Sequence, residues 1–212
     1  MLNGLNLRIK RGEKIAIFGA SGTGKSTLVQ LMFGLRRPRG GLVSMCAHLG
    51  IGYASSDPFL LHSSVSENLR YGNPNCSTEA MVEAARLAEA TKFILSLPQG
   101  FDTVIGGRGQ TLSDGQRQRL GLARLFLADP DMLVLDEAFS GMDPETERRV
   151  HANLFSVFAD RTVLAISHRL SGLEQFDRLL FLRDGELHPV SMEEMLTHFE
   201  QNSPRPRQQI EN

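Results

Sequence analysis

The sequence predicts an α/β fold: a mostly parallel sheet covered by helices, with an α-helical subdomain inserted into it. Three observations carry that reading. The short apolar runs Ile15–Phe18, Met132–Leu135, Val163–Ile166 and Leu179–Leu182 lack polar alternation, as strands buried on both faces do. Each is followed by a loop of Gly, Ser, Asp or His, and helical patterns separate them. From about Ser63 to Ala128 the pattern turns mostly helical, with Ala and Leu at helical spacing from Thr78 to Leu97.

A chain of 212 residues suits one domain, or a core with a modest subdomain. Hydrophobic residues at 41% and charged ones at 22% describe a globular chain, not a disordered one. Lys and Arg (23) balance Asp and Glu (24), so bulk positive charge is absent and no nucleic-acid partner is expected. Cys46 and Cys76 form neither a disulfide framework nor a zinc-ligand spacing, which fits a reducing compartment. No apolar run approaches the roughly 18 to 20 residues of a membrane helix. The opening stretch MLNGLNLRIKRGEK lacks the apolar core of a secretory signal. The expectation is a chain that by itself neither spans a membrane nor is exported.

The run Ile15–Phe18 leads into Gly19-Ala20-Ser21-Gly22-Thr23-Gly24-Lys25-Ser26-Thr27, which fits G-x-x-x-x-G-K-[ST] between a strand and a helix. The glycines let backbone amides turn inward without Cβ clashes, forming an anion nest at a helix N-terminus. Lys25 is placed to reach the β- and γ-phosphates of a nucleotide, and the Ser26 hydroxyl to ligate Mg²⁺. Leu28, Leu31 and Met32 give the following helix a buried face, and Gly34 ends it. A Gly-rich turn with an exposed Lys is the bland alternative, and the flanking strand and helix count against it. This is a Walker A loop, and the core it predicts is a P-loop NTPase of the RecA-like kind.

The run Met132–Leu135 ends in Asp136-Glu137, which sets both carboxylates at the carboxyl edge of the sheet. Asp136 suits Mg²⁺ as in the Walker B pattern, and Glu137 is placed to orient and deprotonate an attacking water. Surface Asp-Glu pairs are common; a pair directly after an apolar run is rarer, because an unpaired charge at a buried strand end is costly.

Leu112-Ser113-Asp114-Gly115-Gln116 opens the helical run Arg117–Leu127. It resembles the LSGGQ signature of ATP-binding-cassette (ABC) ATPases, and the likeness extends over nearly the whole chain. The resemblance implies that Ser113, Gly115 and Gln116 contact the γ-phosphate of a nucleotide held by a second subunit. Thr162-Val163-Leu164-Ala165-Ile166-Ser167-His168 resembles the switch segment, with His168 contacting the γ-phosphate, and Ser140-Gly141-Met142-Asp143 resembles the D-loop. Val65-Ser66-Glu67-Asn68-Leu69 and Phe101-Asp102-Thr103-Val104 resemble segments of the exporter branch.

The resemblance further implies an ATPase whose cofactors are ATP and Mg²⁺. Its partners are a second nucleotide-binding domain, in a homo- or heterodimer around two ATP, and ABC transmembrane domains. The chain would then sit at the cytoplasmic face of a membrane through those domains, or in the cytosol if isolated. On this division residues 1–62 form the first part of the core and 63–128 the helical subdomain with the signature. Residues 129–190 complete the core, and 191–212 supply a terminal helix from Ser191 to Glu200 and a frayed tail from Ser203.

Several positions depart from the family pattern. The family carries further strands, with an adenine-stacking aromatic, ahead of Met1-Leu2-Asn3-Gly4, so a chain cut from a longer transporter polypeptide or a misassigned start is expected. Ser56 stands where the Q-loop usually has glutamine, and Asp114 replaces a signature glycine. Gly107 stands where exporters place a glutamate before their arginine, here Arg108. The stretch from Gly40 to Ser56 leaves little room for the family's β-hairpin. Phe59, Leu60 and Leu61 fall where such domains meet a membrane subunit, or pack under the helical subdomain. Two alternatives stay open: a soluble non-transport ABC ATPase, and a degenerate module that binds ATP with little hydrolysis.

Overall fold

The four apolar runs become four neighbouring strands of one sheet. The structure, a computed structural model, describes residues 2–106, 111–167 and 172–202. In chain order the elements begin with β1 (Lys14–Phe18), α1 (Lys25–Met32), β2 (Ile51–Ser55) and β3 (Ser63–Ser64). There follow α2 (Val65–Arg70), α3 (Thr78–Leu87), α4 (Thr91–Ser96), β4 (Val104–Ile105) and α5 (Asp114–Ala128). The last part holds β5 (Met132–Asp136), α6 (Pro144–Val157), β6 (Thr162–Ile166), β7 (Arg178–Arg183), β8 (Glu186–Val190) and α7 (Met192–Asn202).

Six strands are ordered β2-β5-β6-β1-β7-β8, and β3 pairs with β4 in a separate two-stranded ladder. All pairings in the large sheet are parallel except β7 with β8. Ile15, Ile17, Val134, Leu164 and Ile166 face α1 on one side. Leu133, Leu135, Val163 and Ala165 face the helices of the other side. Both faces are covered, which is why these strands show no polar alternation. Register aligns Ser55 with Asp136 and Asp136 with Ile166, so the carboxyl ends of β2, β5 and β6 meet in one row.

Four details differ from the sequence expectation. The edge strands β2 and β8 carry no apolar run. Gly52 and Ala54 are the buried residues of β2, and a Cβ on Gly52 would lie 2.4 Å from Leu125 Cδ2. Pro189 sits within β8, a position an edge strand tolerates. The helical pattern from Thr78 to Leu97 splits into α3 and α4, because Glu89 takes a left-handed φ of 54°. In α1 the fully buried apolar residues are Leu28 and Val29, while Leu31 and Met32 are half-buried.

Residues 33–50 contain no helix or strand, and Leu35 and Leu42 there are exposed. Phe59 is 77% exposed, whereas Leu60 packs against the larger core cluster. The arginine position Arg108, Gly107, and the tail from Ser203 lie outside the described residues.

Candidate functional site

The loop after β1 is shaped by glycines. Gly19 passes so close to β7 that a Cβ would lie 2.8 Å from the Leu182 carbonyl oxygen. Gly22 (φ 81°) and Gly24 (φ 109°) take left-handed backbone, which turns successive amides toward one side. Thr23 Oγ1 donates to the Ala20 carbonyl at 2.9 Å and ties the loop together. Ala20, Ser21, Gly22 and Ser26 are exposed, and Thr23, Gly24 and Thr27 half-buried.

Gly24 is the N-cap of α1, so no side chain bonds the first amides, and the first turn holds no acidic residue. The positive end of that helix is left open to an anion. Lys25 lies over the loop, with Nζ donating to the Gly19 carbonyl at 2.7 Å and the Ala20 carbonyl at 2.9 Å. Burial pushes its ammonium pKa down, and the charges of Glu137 and Asp136 pull it back up.

Asp136 ends β5 beside this loop. Burial raises its carboxyl pKa; the Tyr53 bond opposes the rise, Glu137 adds to it, and Lys25 opposes it. Ser26 and Asp136 line one cavity of about 410 Å³ together with Val29, Gln30, Phe33, Leu35 and Tyr53. Tyr53 donates its phenol proton to Asp136 Oδ2 at 3.2 Å. The phenol pKa is pushed up to about 12, first by burial and then by the Asp136 charge.

Glu137 occupies left-handed backbone at φ 54°, a conformation that costs a non-glycine residue on the order of 1 kcal/mol. Its amide donates to the Ile166 carbonyl at 2.9 Å, which holds the turn against β6. Glu137 lines a cavity of about 30 Å³ whose other walls are mostly apolar, with Ser140, Glu147, His151 and Ser167 as its polar neighbours. That is room for about one water.

Loop amides, a lysine, a hydroxyl and a carboxylate together fit a nucleotide triphosphate with Mg²⁺, a cation that takes oxygen ligands. Among the described residues no cluster of three or more His, Cys, Asp or Glu could hold a metal alone. An ion held by Ser26 and Asp136 would complete its shell with water and phosphate oxygens.

The signature residues stand apart. Ser113 caps α5: its Oγ accepts from the Gln116 amide at 3.3 Å, and Gln116 Oε1 accepts from the Ser113 amide at 2.9 Å. Asp114 is exposed and ion-paired to Arg117. Gly115 is buried where a Cβ would lie 2.4 Å from the Gly141 carbonyl oxygen. Ser113, Gly115 and Gln116 do not line the cavity shared by Ser26 and Asp136. His168 lies outside the described residues.

A model of the ABC transporter family matches residues 2–140, from the N-terminal segment through the phosphate loop, the signature and the acidic pair. The chain belongs to the ABC transporter family. It is 42% identical over 198 residues to the ATP-dependent lipid A-core flippase of Chromohalobacter salexigens, covering 88% of this chain and 34% of the flippase. It is 38% identical over 198 residues to ABC transporter B family member 4 of Dictyostelium discoideum, covering 88% of this chain and 26% of that protein. The structure of a bacterial Atm1-family ABC exporter with ATP bound superposes with a TM-score of 0.86 at 32% identity, over 97% of this chain and 39% of that one. This ABC chain thus spans about a third of the flippase it matches. No helix among its described residues is long and apolar enough to cross a membrane.

Two residues of this ABC chain were not singled out by sequence. Gln118, buried in α5, donates from Nε2 to the Ser56 carbonyl at 2.8 Å and Ser140 Oγ at 3.0 Å. Its Oε1 accepts from the Gly141 amide at 2.8 Å. It thus ties the Ser56 segment and the D-loop segment to one helix. Set between Arg117 and Arg119, it reads in sequence as part of a solvated face. Tyr53 is the second, and its exposed position on an edge strand gives no sequence signal.

Proposed function

We propose that this chain binds and hydrolyses ATP, giving ADP and phosphate, as the nucleotide-binding part of an ABC exporter. The observation that carries the reading is the uncapped start of α1, spanned by Lys25 and adjoining the cavity of Ser26 and Asp136. The amides from Gly19 to Thr27 and Lys25 hold the phosphates. Ser26 and Asp136 hold Mg²⁺, which supplies charge neutralisation at the phosphates when bound. Glu137 orients the attacking water and takes its proton.

Ser113, Gly115 and Gln116 act on the nucleotide of a second domain, in a head-to-tail homo- or heterodimer, and His168 contacts the γ-phosphate. Residues 63–128 form the arm that presents the signature; 1–62 and 129–190 form the core. ABC membrane domains couple the cycle to transport, which places the chain at the cytoplasmic face. The flippase and exporter likenesses support this reading.

The test is Mg²⁺-dependent ATPase activity against Glu137→Gln. Turnover should fall about 10²- to 10⁴-fold, with ATP-bound dimer accumulating on a sizing column. A second reading, ATP binding with little hydrolysis, draws on Ser56, which does not line the metal-end cavity. Wild type no faster than the variant, with both binding ATP, would establish that reading instead.

A further inference from the structure

Tyr53 stands at the metal end of the site, and nothing in the scheme above uses it. It lies on β2, paired with Val134 of β5, two residues before the row that aligns Ser55 with Asp136. Its ring meets Phe33 edge-on, with centroids 5.4 Å apart and planes at 82°. Phe33 is the C-cap of α1, the helix that begins with Lys25 and Ser26. The ring is therefore braced by the end of that helix, and its hydroxyl reaches Asp136 Oδ2 at 3.2 Å. The same residue lines the cavity shared by Ser26 and Asp136.

We propose that Tyr53 is a positioning residue for the Mg²⁺ end of the nucleotide site, holding one oxygen of Asp136 so that the carboxylate meets the ion in a single orientation. A carboxylate with neither oxygen bonded rotates about its terminal torsion, which is broad and roughly two-fold. A donor on Oδ2 removes that freedom and leaves Oδ1 to face the ion. Hydrogen-bonded partners of this kind orient ligating carboxylates, and their loss typically costs 10- to 100-fold in metal affinity. The two braces lie far apart in sequence. Phe33 comes from the segment after the phosphate loop, and Asp136 from the strand that ends in the acidic pair. Tyr53 thereby joins both halves of the metal site. Ser56, just beyond β2, bonds the Asp136 carbonyl through its amide at 2.9 Å and Gln118 through its own carbonyl, and it does not line the cavity shared by Ser26 and Asp136.

The inference rests on the nucleotide-site reading, and the test separates the two. Affinity for a fluorescent ATP analogue is measured with EDTA and with Mn²⁺, in wild type and in Tyr53→Phe, which keeps the ring against Phe33. The expected result is unchanged metal-free affinity and a metal-dependent gain smaller by about 10- to 100-fold. An equal gain in both proteins overturns the positioning role. A wild type that binds no analogue under either condition overturns the nucleotide site itself.

A spectroscopic readout needs no change at Tyr53. The chain has 2 Tyr and 0 Trp, so in Tyr71→Phe all near-ultraviolet emission from tyrosine comes from Tyr53. A phenol bonded to a carboxylate is quenched, so adding Asp136→Ala should brighten it. Emission that ignores that substitution shows the phenol is not bonded to Asp136, and the proposal fails. A tyrosine bonded to Asp136 for structure alone would brighten as well but leave the metal-dependent gain unchanged, so the gain separates positioning from structure.

Discussion

The starts of α1 and α5 are both helix N-termini, both match phosphate-binding motifs, and they are built in opposite ways. At α1 the N-cap is Gly24, no side chain bonds the first amides, and no acid occupies the first turn. At α5 the Ser113 hydroxyl and the Gln116 side chain close a capping box, and Asp114 adds a negative charge. The open end can receive an anion with nothing to displace. The capped end stabilises its own helix first and yields the Ser113 and Gln116 amides only against that cap. A helix dipole alone does not make a phosphate site; what the cap does with the amides decides. The contrast is in keeping with the proposal that α1 holds the nucleotide of its own chain and α5 acts on that of another.

Lys25 carries the greatest functional weight at the open end. Lys25→Ala removes the charge spanning the open loop, and turnover should fall about 10²- to 10³-fold, as when one preorganised donor is lost. The rise in Tm on adding Mg²⁺ and ATP should shrink with it, because only binding to the folded state supplies that rise. Full ATP-induced stabilisation in this variant would mean the loop of α1 is not the phosphate site.

Next comes Gly115→Ala. A Cβ there would meet the Gly141 carbonyl oxygen at 2.4 Å, a backbone atom that cannot swing aside. Stability should drop by about 1–3 kcal/mol in urea, the range for overpacking. Monomeric ATP binding should persist. Gly22→Ala is its counterpart at the open end, where a Cβ meets nothing within 4 Å and only φ of 81° resists. Its cost should be about 1–2 kcal/mol, and it should weaken ATP binding, unlike Gly115→Ala.

How well the sequence reveals these two sites follows from how local each is. The candidate phosphate loop is one contiguous stretch between a strand and a helix, so its motif can be read locally. The strands β1, β5, β6 and β7 are legible because burial on both faces leaves only apolar side chains. The edge strand β2 is not, because Gly52 and Ala54 fill its buried positions and close packing against Leu125 and Pro130 is a tertiary fact. Gln118 and Tyr53 act across 62 and 83 residues, to Ser56 and Asp136, and no local pattern encodes such a partner. The break between α3 and α4 is similar. Arg119 of α5 donates to the carbonyl of Glu89 at 2.9 Å, a bond the even Ala and Leu spacing conceals.

A smaller effect sharpens the account of the closed end. Ser113→Ala removes the acceptor for the Gln116 amide and should cost about 1 kcal/mol of stability, seen as a lower urea midpoint with an unchanged slope. ATP binding by the monomer should stay the same, while dimer formation in a Glu137→Gln background should weaken if Ser113 also serves the partner's nucleotide. A dimer as stable as before would leave Ser113 a cap and nothing more.

The smallest effect is at Asp114, and it tests whether charge or capping sets the character of the α5 start. A carboxylate in the first turn favours the helix by about 0.3–1 kcal/mol at low ionic strength, and here it also pairs with Arg117. Asp114→Asn should therefore lower stability by no more than that, and salt near 1 M should erase most of the difference, because the group is exposed and screened. At the same time the N-terminus loses a charge that repels phosphate, so ATP-dependent dimerisation in the Glu137→Gln background should strengthen at low salt. The two changes have opposite signs. Weaker dimers together with lower stability would show instead that the Asp114 charge supports the helix end on which a second nucleotide docks, over and above the cap made by Ser113 and Gln116.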